Sequence, residues 1–125
     1  MKALVPLLAL PLILAGCATV PTRIGDNGFA HLGETTRVGP ASVQVDSVVE
    51  DSRCPADKQC IWAGRVRINV TVHDNTRDQT RTLTLGEPAL LATGEIVLDS
   101  VDPPTRTDAA IAARDYRFHF SWRDR

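Results

Sequence analysis

Val66-Arg67-Ile68-Asn69-Val70-Thr71-Val72-His73 is the stretch that decides the fold. Apolar Val66, Ile68, Val70 and Val72 alternate strictly with Arg67, Asn69, Thr71 and His73. A period of two places all four apolar side chains on one face of a β-strand. Asp74-Asn75-Thr76-Arg77-Asp78 then supplies turn-forming side chains. Beyond it Thr80, Thr82 and Thr84 alternate with Arg81, Leu83 and Leu85. The two segments predict an antiparallel hairpin with one buried face.

The same alternation extends outward in both directions. Ala41 to Glu50 carries Val43, Val45 and Val48 behind a Gly39-Pro40 turn. Glu95 to Val101 reads as a further strand, stopped by Pro103-Pro104 because proline has no N–H to give a ladder. Tyr116, Phe118, Phe120 and Trp122 fall on one side of a closing strand, with Arg117, His119 and Ser121 on the other. Thr107 to Arg114 is expected to form one short helical turn. Two strings also recur: Leu32-Gly33-Glu34 as Leu85-Gly86-Glu87, and Asp46-Ser47-Val48 as Asp99-Ser100-Val101. Both recurrences have the same offset of 53 residues, and between them Val38, Val43 and Val45 align with Leu91, Ile96 and Leu98. The expectation is an all-β domain over residues 31–125, a small antiparallel β-barrel or sandwich built from two related halves.

Ahead of that domain, Met1-Lys2 leads into an apolar run from Ala3 to Leu14, then small Ala15 and Gly16. A basic start, a short apolar core and small residues at the end make residues 1–16 a signal peptide. The run is shorter than the roughly 20 residues of a membrane span, and Pro6 and Pro11 interrupt it. Leu14-Ala15-Gly16-Cys17 resembles the bacterial lipobox. That resemblance implies cleavage before Cys17 and a lipid on its thiol and new amine, a membrane anchor on an envelope protein. Ala18 in place of Asp implies the outer membrane, facing the periplasm, where the source has two membranes. Residues 17–30, with Pro21, Gly25, Asp26, Asn27 and Gly28 and no periodicity, read as the lipidated cysteine and a tether.

The full chain has 14 basic and 15 acidic residues; loss of residues 1–16 removes Lys2 alone, leaving 13 against 15, a net charge of −2. That balance gives no electrostatic reason to bind nucleic acid or an anionic membrane surface. With Cys17 committed to lipid, Cys54 and Cys60 remain as an even pair in an oxidising compartment. Their bridge would close a ring of seven residues. A redox-active pair ordinarily has two residues between its cysteines and a helix start beside them. Here five residues intervene in a β context, which predicts a structural disulfide.

The least generic stretch surrounds that pair. Asp51-Ser52-Arg53-Cys54-Pro55, four residues, Cys60, one residue, then Trp62-Ala63-Gly64 resembles a motif of small secreted or lipid-anchored bacterial β domains, a family with no assigned activity. The resemblance implies export, the disulfide and a β fold, and it carries no catalytic residue. Arg53, Asp57, Lys58 and Trp62 are the candidate contact residues of a presented loop, since Arg and Trp dominate binding hot spots. The alternative places Trp62 in the core, capping one end of the domain beneath a loop that is merely closed.

Catalytic signatures are weak. Ser47, Ser52 and Ser100 lack the Gly-x-Ser-x-Gly setting of an activated serine. His31, His73 and His119 lie on three separate segments, where solvated histidine is the plain account. No cofactor is expected. The leading expectation is a non-enzymatic envelope module that binds an envelope protein or cell-wall component through loop 51–64. The alternatives are a periplasmic carrier of a small molecule or metal and an inhibitor of a hydrolase that attacks the envelope.

Overall fold

The computed structural model describes Gly16 and residues 24–125. The signal stretch 1–15 and Cys17 lie outside the described residues. Among the described residues there are nine strands: β1 (Ile24–Gly25), β2 (Phe29–His31), β3 (Thr35–Val38), β4 (Ala41–Asp51), β5 (Val66–His73), β6 (Asp78–Thr84), β7 (Pro88–Leu90), β8 (Gly94–Asp102) and β9 (Arg117–Asp124). A single 3-10 turn at Ala113–Asp115 falls at the end of the segment where a helical turn is expected. One sheet has the order β1-β3-β4-β5-β6 and the other β2-β9-β8-β7, and both are open. All neighbours are antiparallel except β1, which runs parallel to β3. No described helix is long and apolar enough to cross a membrane.

β5 behaves as its alternation requires. Val66, Ile68, Val70 and Val72 are fully buried, and the intervening residues are half-exposed. They meet Val43 and Val45 of β4, Leu83 of β6, Ile96 and Leu98 of β8, and Phe118 and Phe120 of β9 in one core shared by the two sheets. At the end where β4 begins, the indole of Trp122 lies against the backbones of Gly39 and Gly94.

The two related halves are visible as geometry. Strands β2–β5 and β6–β9 occupy equivalent places: β3-β4-β5-β6 in one sheet matches β7-β8-β9-β2 in the other. Each half therefore lends its first strand to the sheet of the other half. Gly33 N–H donates to Val45 O at 2.7 Å, and Gly86 N–H to Leu98 O at 2.8 Å. Glu34 N–H donates to His31 O as Glu87 N–H does to Thr84 O. Asp46 and Asp99 are the extra residues of equivalent β-bulges, where the register shifts between Val45 and Ser47 and between Leu98 and Ser100. A bulge adds a residue to one strand and sharpens its twist, which bends β4 and β8 over the core.

Of the tether expected over residues 17–30, the described part, residues 24–30, is built into the domain. Ile24–Gly25 and Phe29–His31 already belong to the sheets. Asn27 Oδ1 accepts from the Phe29 N–H at 3.1 Å, and Gly28 O accepts from the Phe120 N–H at 2.9 Å. The polar residues taken for a linker are thus the turn between two very short strands.

Gly33 and Gly86 carry φ of +82° and +83°, and a Cβ at either would meet nothing within 4 Å. Only backbone strain should register there. Gly33→Ala and Gly86→Ala should each lower stability by about 1 kcal/mol, and by nearly equal amounts. Urea melts of the two variants check this; a large inequality would break the equivalence of the halves.

Candidate functional site

Loop 52–65 joins β4 to β5, and loop 103–116 joins β8 to β9; the pseudo-repeat brings both to one end of the domain. Arg53 stands where they meet. Its Nε and Nη2 donate to the two carboxylate oxygens of Asp51, both at 2.8 Å. Nη1 also donates to Val101 O at 2.8 Å, and Nη2 to Pro103 O at 3.0 Å. The Tyr116 hydroxyl completes the group by donating to Asp51 Oδ2 at 2.9 Å, and its ring stacks on Phe118 with centroids 5.6 Å apart. The two charged side chains are 16% and 9% exposed, so this is a shielded, bidentate ion pair rather than a surface one.

Burial pushes the Asp51 carboxyl upward, but hydrogen bonds from Arg53 and Tyr116 and the Arg53 charge outweigh it and hold it below its ordinary value. The hydrogen bonds that Arg53 donates to Asp51 outweigh burial and raise the guanidinium further. Tyr116 is pushed up to about 12, first by burial and then by its bond to the Asp51 carboxylate.

Outward from this joint the loops are laced together. Ala56 N–H donates to Thr105 O at 2.7 Å, and Thr105 Oγ1 to Arg53 O at 3.2 Å. Asp57 accepts from both the backbone N–H and the hydroxyl of Thr107, and these bonds lower its pKa. Cys54 and Cys60 are bridged, with Cα atoms 5.8 Å apart. Gly64 lies so close to the backbone of Ser52 that a Cβ would collide with the Ser52 carbonyl. Ser52 N–H donates to Arg65 O at 2.9 Å, and Arg65 N–H to Ser52 Oγ at 3.1 Å, which seals the neck of the loop.

Beyond the neck, Ile61 and Trp62 are 100% and 62% exposed. Trp62 is therefore outside the core. Of the four candidate contact residues, Lys58, Trp62 and Asp57 are exposed, Asp57 while accepting from Thr107, and Arg53 alone is turned inward to partners within the chain. Ile61 was not singled out from sequence, although its place beside Trp62, beyond any alternating run, was the available sign. Asp51, two residues from Arg53, and Tyr116, which reaches Asp51 across 65 residues of chain, were also passed over.

The other candidates stay apart. His31 Nδ1 meets Tyr116 O, His73 meets Asp78, and His119 meets Asp99. Among the described residues no three His, Cys, Asp or Glu side chains gather as a metal-binding group. Asp46 accepts from Thr71 across its bulge, so the two repeated aspartates are each tied to a neighbouring strand. A hollow of about 160 Å³ lies within loop 103–116, lined by Pro103, Pro104, Ala110 and Ile111. That is small beside the roughly 300–1,000 Å³ of ordinary ligand pockets.

Two outcomes follow from the joint. Arg53→Ala leaves Asp51 shielded without its counter-ion, and should cost about 3 kcal/mol, lowering Tm by more than about 10 °C. A shift of a degree or two would mean the pair adds nothing. Tyr116 is the one tyrosine of the chain, so tyrosinate absorbance reports it alone. A raised pKa stabilises the fold fully below pH 10.0, the ordinary tyrosine value, and the contribution is lost as pH rises through about 12. Asp51, lowered from 3.8, contributes above that pH and loses its effect as pH falls further. The native protein should ionise near pH 12, and Asp51→Asn should bring the midpoint down towards 10; a native midpoint near 10 would sink the assignment.

Compared with protein families, with curated proteins and with solved structures, the chain matches none.

Proposed function

We propose that this protein is a lipid-anchored module of the cell envelope, non-enzymatic, which makes contact with an envelope component through the tip of loop 51–64. The single observation that carries the reading is the exposure of Ile61 and Trp62 on a loop held by a disulfide, a shielded ion pair and a laced neighbour. A large apolar side chain kept in water on a rigid support is the profile of a binding anchor: it needs little ordering when a partner arrives. Lys58 adds an exposed cation on the same loop, with no ion pair among the described residues. The anchor at Cys17 rests on the resemblance of Leu14-Ala15-Gly16-Cys17 to the lipobox, and Ala18 favours the outer membrane, facing the periplasm, in a two-membrane bacterium.

Crosslinking in intact envelopes, with wild-type protein beside Trp62→Ala, tests the reading. Wild type should capture an envelope component. Trp62→Ala should lose it at least about tenfold with Tm within about 3 °C, because an exposed side chain holds no core together. Equal capture by both proteins would end the proposal. Labelled palmitate should enter the wild-type chain and not a Cys17→Ser variant; persistent labelling of that variant would remove Cys17 as the anchor.

A further inference from the structure

Ile24 lies level with Thr35, and Thr35 pairs with Gln44 of β4. β1 is parallel to β3, and β3 antiparallel to β4, so the N-terminal end of β1 points the way β4 runs, toward Asp51 and the disulfide loop. From Gln44 to Asp51 is seven residues, about 23 Å of strand. From Cys17 to Ile24 is also seven residues, a covalent reach of at most about 25 Å. A lipid on Cys17 can therefore stand level with the base of the disulfide loop and little beyond it.

The two ends of the domain differ in character. At the loop end Ile61, Trp62 and Ala63 are exposed, and loop 103–116 adds exposed Ala109, Ala110, Ala112 and Ala113. Most of the charge there is already paired: Arg106 with Asp108, Arg114 with Asp115, Arg53 with Asp51. The opposite end exposes polar Asn75, Thr76, Arg77 and Thr93 together with apolar Pro40, Leu90 and Ala92, but among the described residues no tryptophan or isoleucine projects there as Trp62 and Ile61 do.

We propose that the loop end rests on the lipid surface that carries the Cys17 anchor, with Trp62 and Ile61 seated at the headgroup–acyl boundary and Lys58 directed to lipid phosphate. This rests on the anchored contact module proposed above and names its partner as the bilayer. Tryptophan is at home at that boundary, because its ring is apolar and its N–H stays wet. Lysine there keeps its stem in the apolar layer and its ammonium among the headgroups. The lipid supplies attachment, and the tip fixes which way the domain faces.

The chain has two tryptophans, one near each end, which makes it its own ruler. The mature lipidated protein is placed in vesicles of phosphatidylethanolamine and phosphatidylglycerol, with and without brominated acyl chains. Wild-type emission minus that of Trp62→Phe isolates Trp62; the variant alone reports Trp122. Trp62 emission should fall at least about twofold on bromination and Trp122 emission should not change. An unquenched Trp62, or a quenched Trp122, overturns the docking. If Trp62 is unquenched while Trp62→Ala still loses its envelope crosslinks, the contact module stands and its partner is a protein or glycan. If those crosslinks persist as well, both readings fall.

Discussion

The Arg53 guanidinium touches three stretches of chain at once. It holds the carboxylate at the end of β4, the carbonyl of Val101 near the end of β8, and the carbonyl of Pro103 in the opposing loop. Tyr116, at the mouth of β9, closes the group from the far side. A charge this shielded is tolerable only because nearly every donor finds an acceptor. The disulfide does something different. It limits the freedom of a seven-residue ring, worth roughly 2 kcal/mol, but by itself it leaves that ring unattached to the rest of the domain. Attachment comes from Arg53 and from the bonds between Ala56 and Thr105 and between Asp57 and Thr107.

The pseudo-repeat explains why such a joint falls where it does. The halves agree through the Gly33 and Gly86 links and through the bulges at Asp46 and Asp99. They part company after Val48 and Val101. One half then carries a second bulge near Val49 and the cysteine loop, and the other a proline-led, alanine-rich loop without cysteine. A scaffold whose halves exchange strands has a common core that neither half completes alone. Its loops are freer to diverge, because changing them does not disturb Val45, Ile68, Leu98 or Phe118.

Much of the fold was legible because the core residues alternate. β5 and β9 announce their buried faces, and the recurrence of Leu-Gly-Glu and Asp-Ser-Val marks equivalent turns and bulges. β1 and β2 were illegible for a physical reason. Strands of two and three residues have no period, and Phe29 points outward, where it packs on His119 and under Arg117 instead of in the core. The disulfide followed from counting cysteines. The role of Arg53 did not, because an arginine beside a cysteine looks the same whether it faces solvent or reaches carbonyls some 50 residues away. Trp62 was ambiguous for the opposite reason: a lone tryptophan in a non-periodic loop has no pattern to say which side it faces.

Exposure and rigidity together are what make the tip unusual. A flexible loop would fold an isoleucine and a tryptophan back onto the nearest apolar surface, since each gains about 1.5–3 kcal/mol when fully buried. Here the neck is closed by Ser52, Gly64 and Arg65, and the flank is tied to Thr105 and Thr107. Those bonds and the disulfide fix the base and flank of the loop from which Ile61 and Trp62 project into solvent. A surface that receives the pair therefore has less of the loop to order than it would with a free base. The joint at Arg53 and the exposure of Trp62 thus belong to one loop: the shielded charge pair fixes the base from which the indole projects.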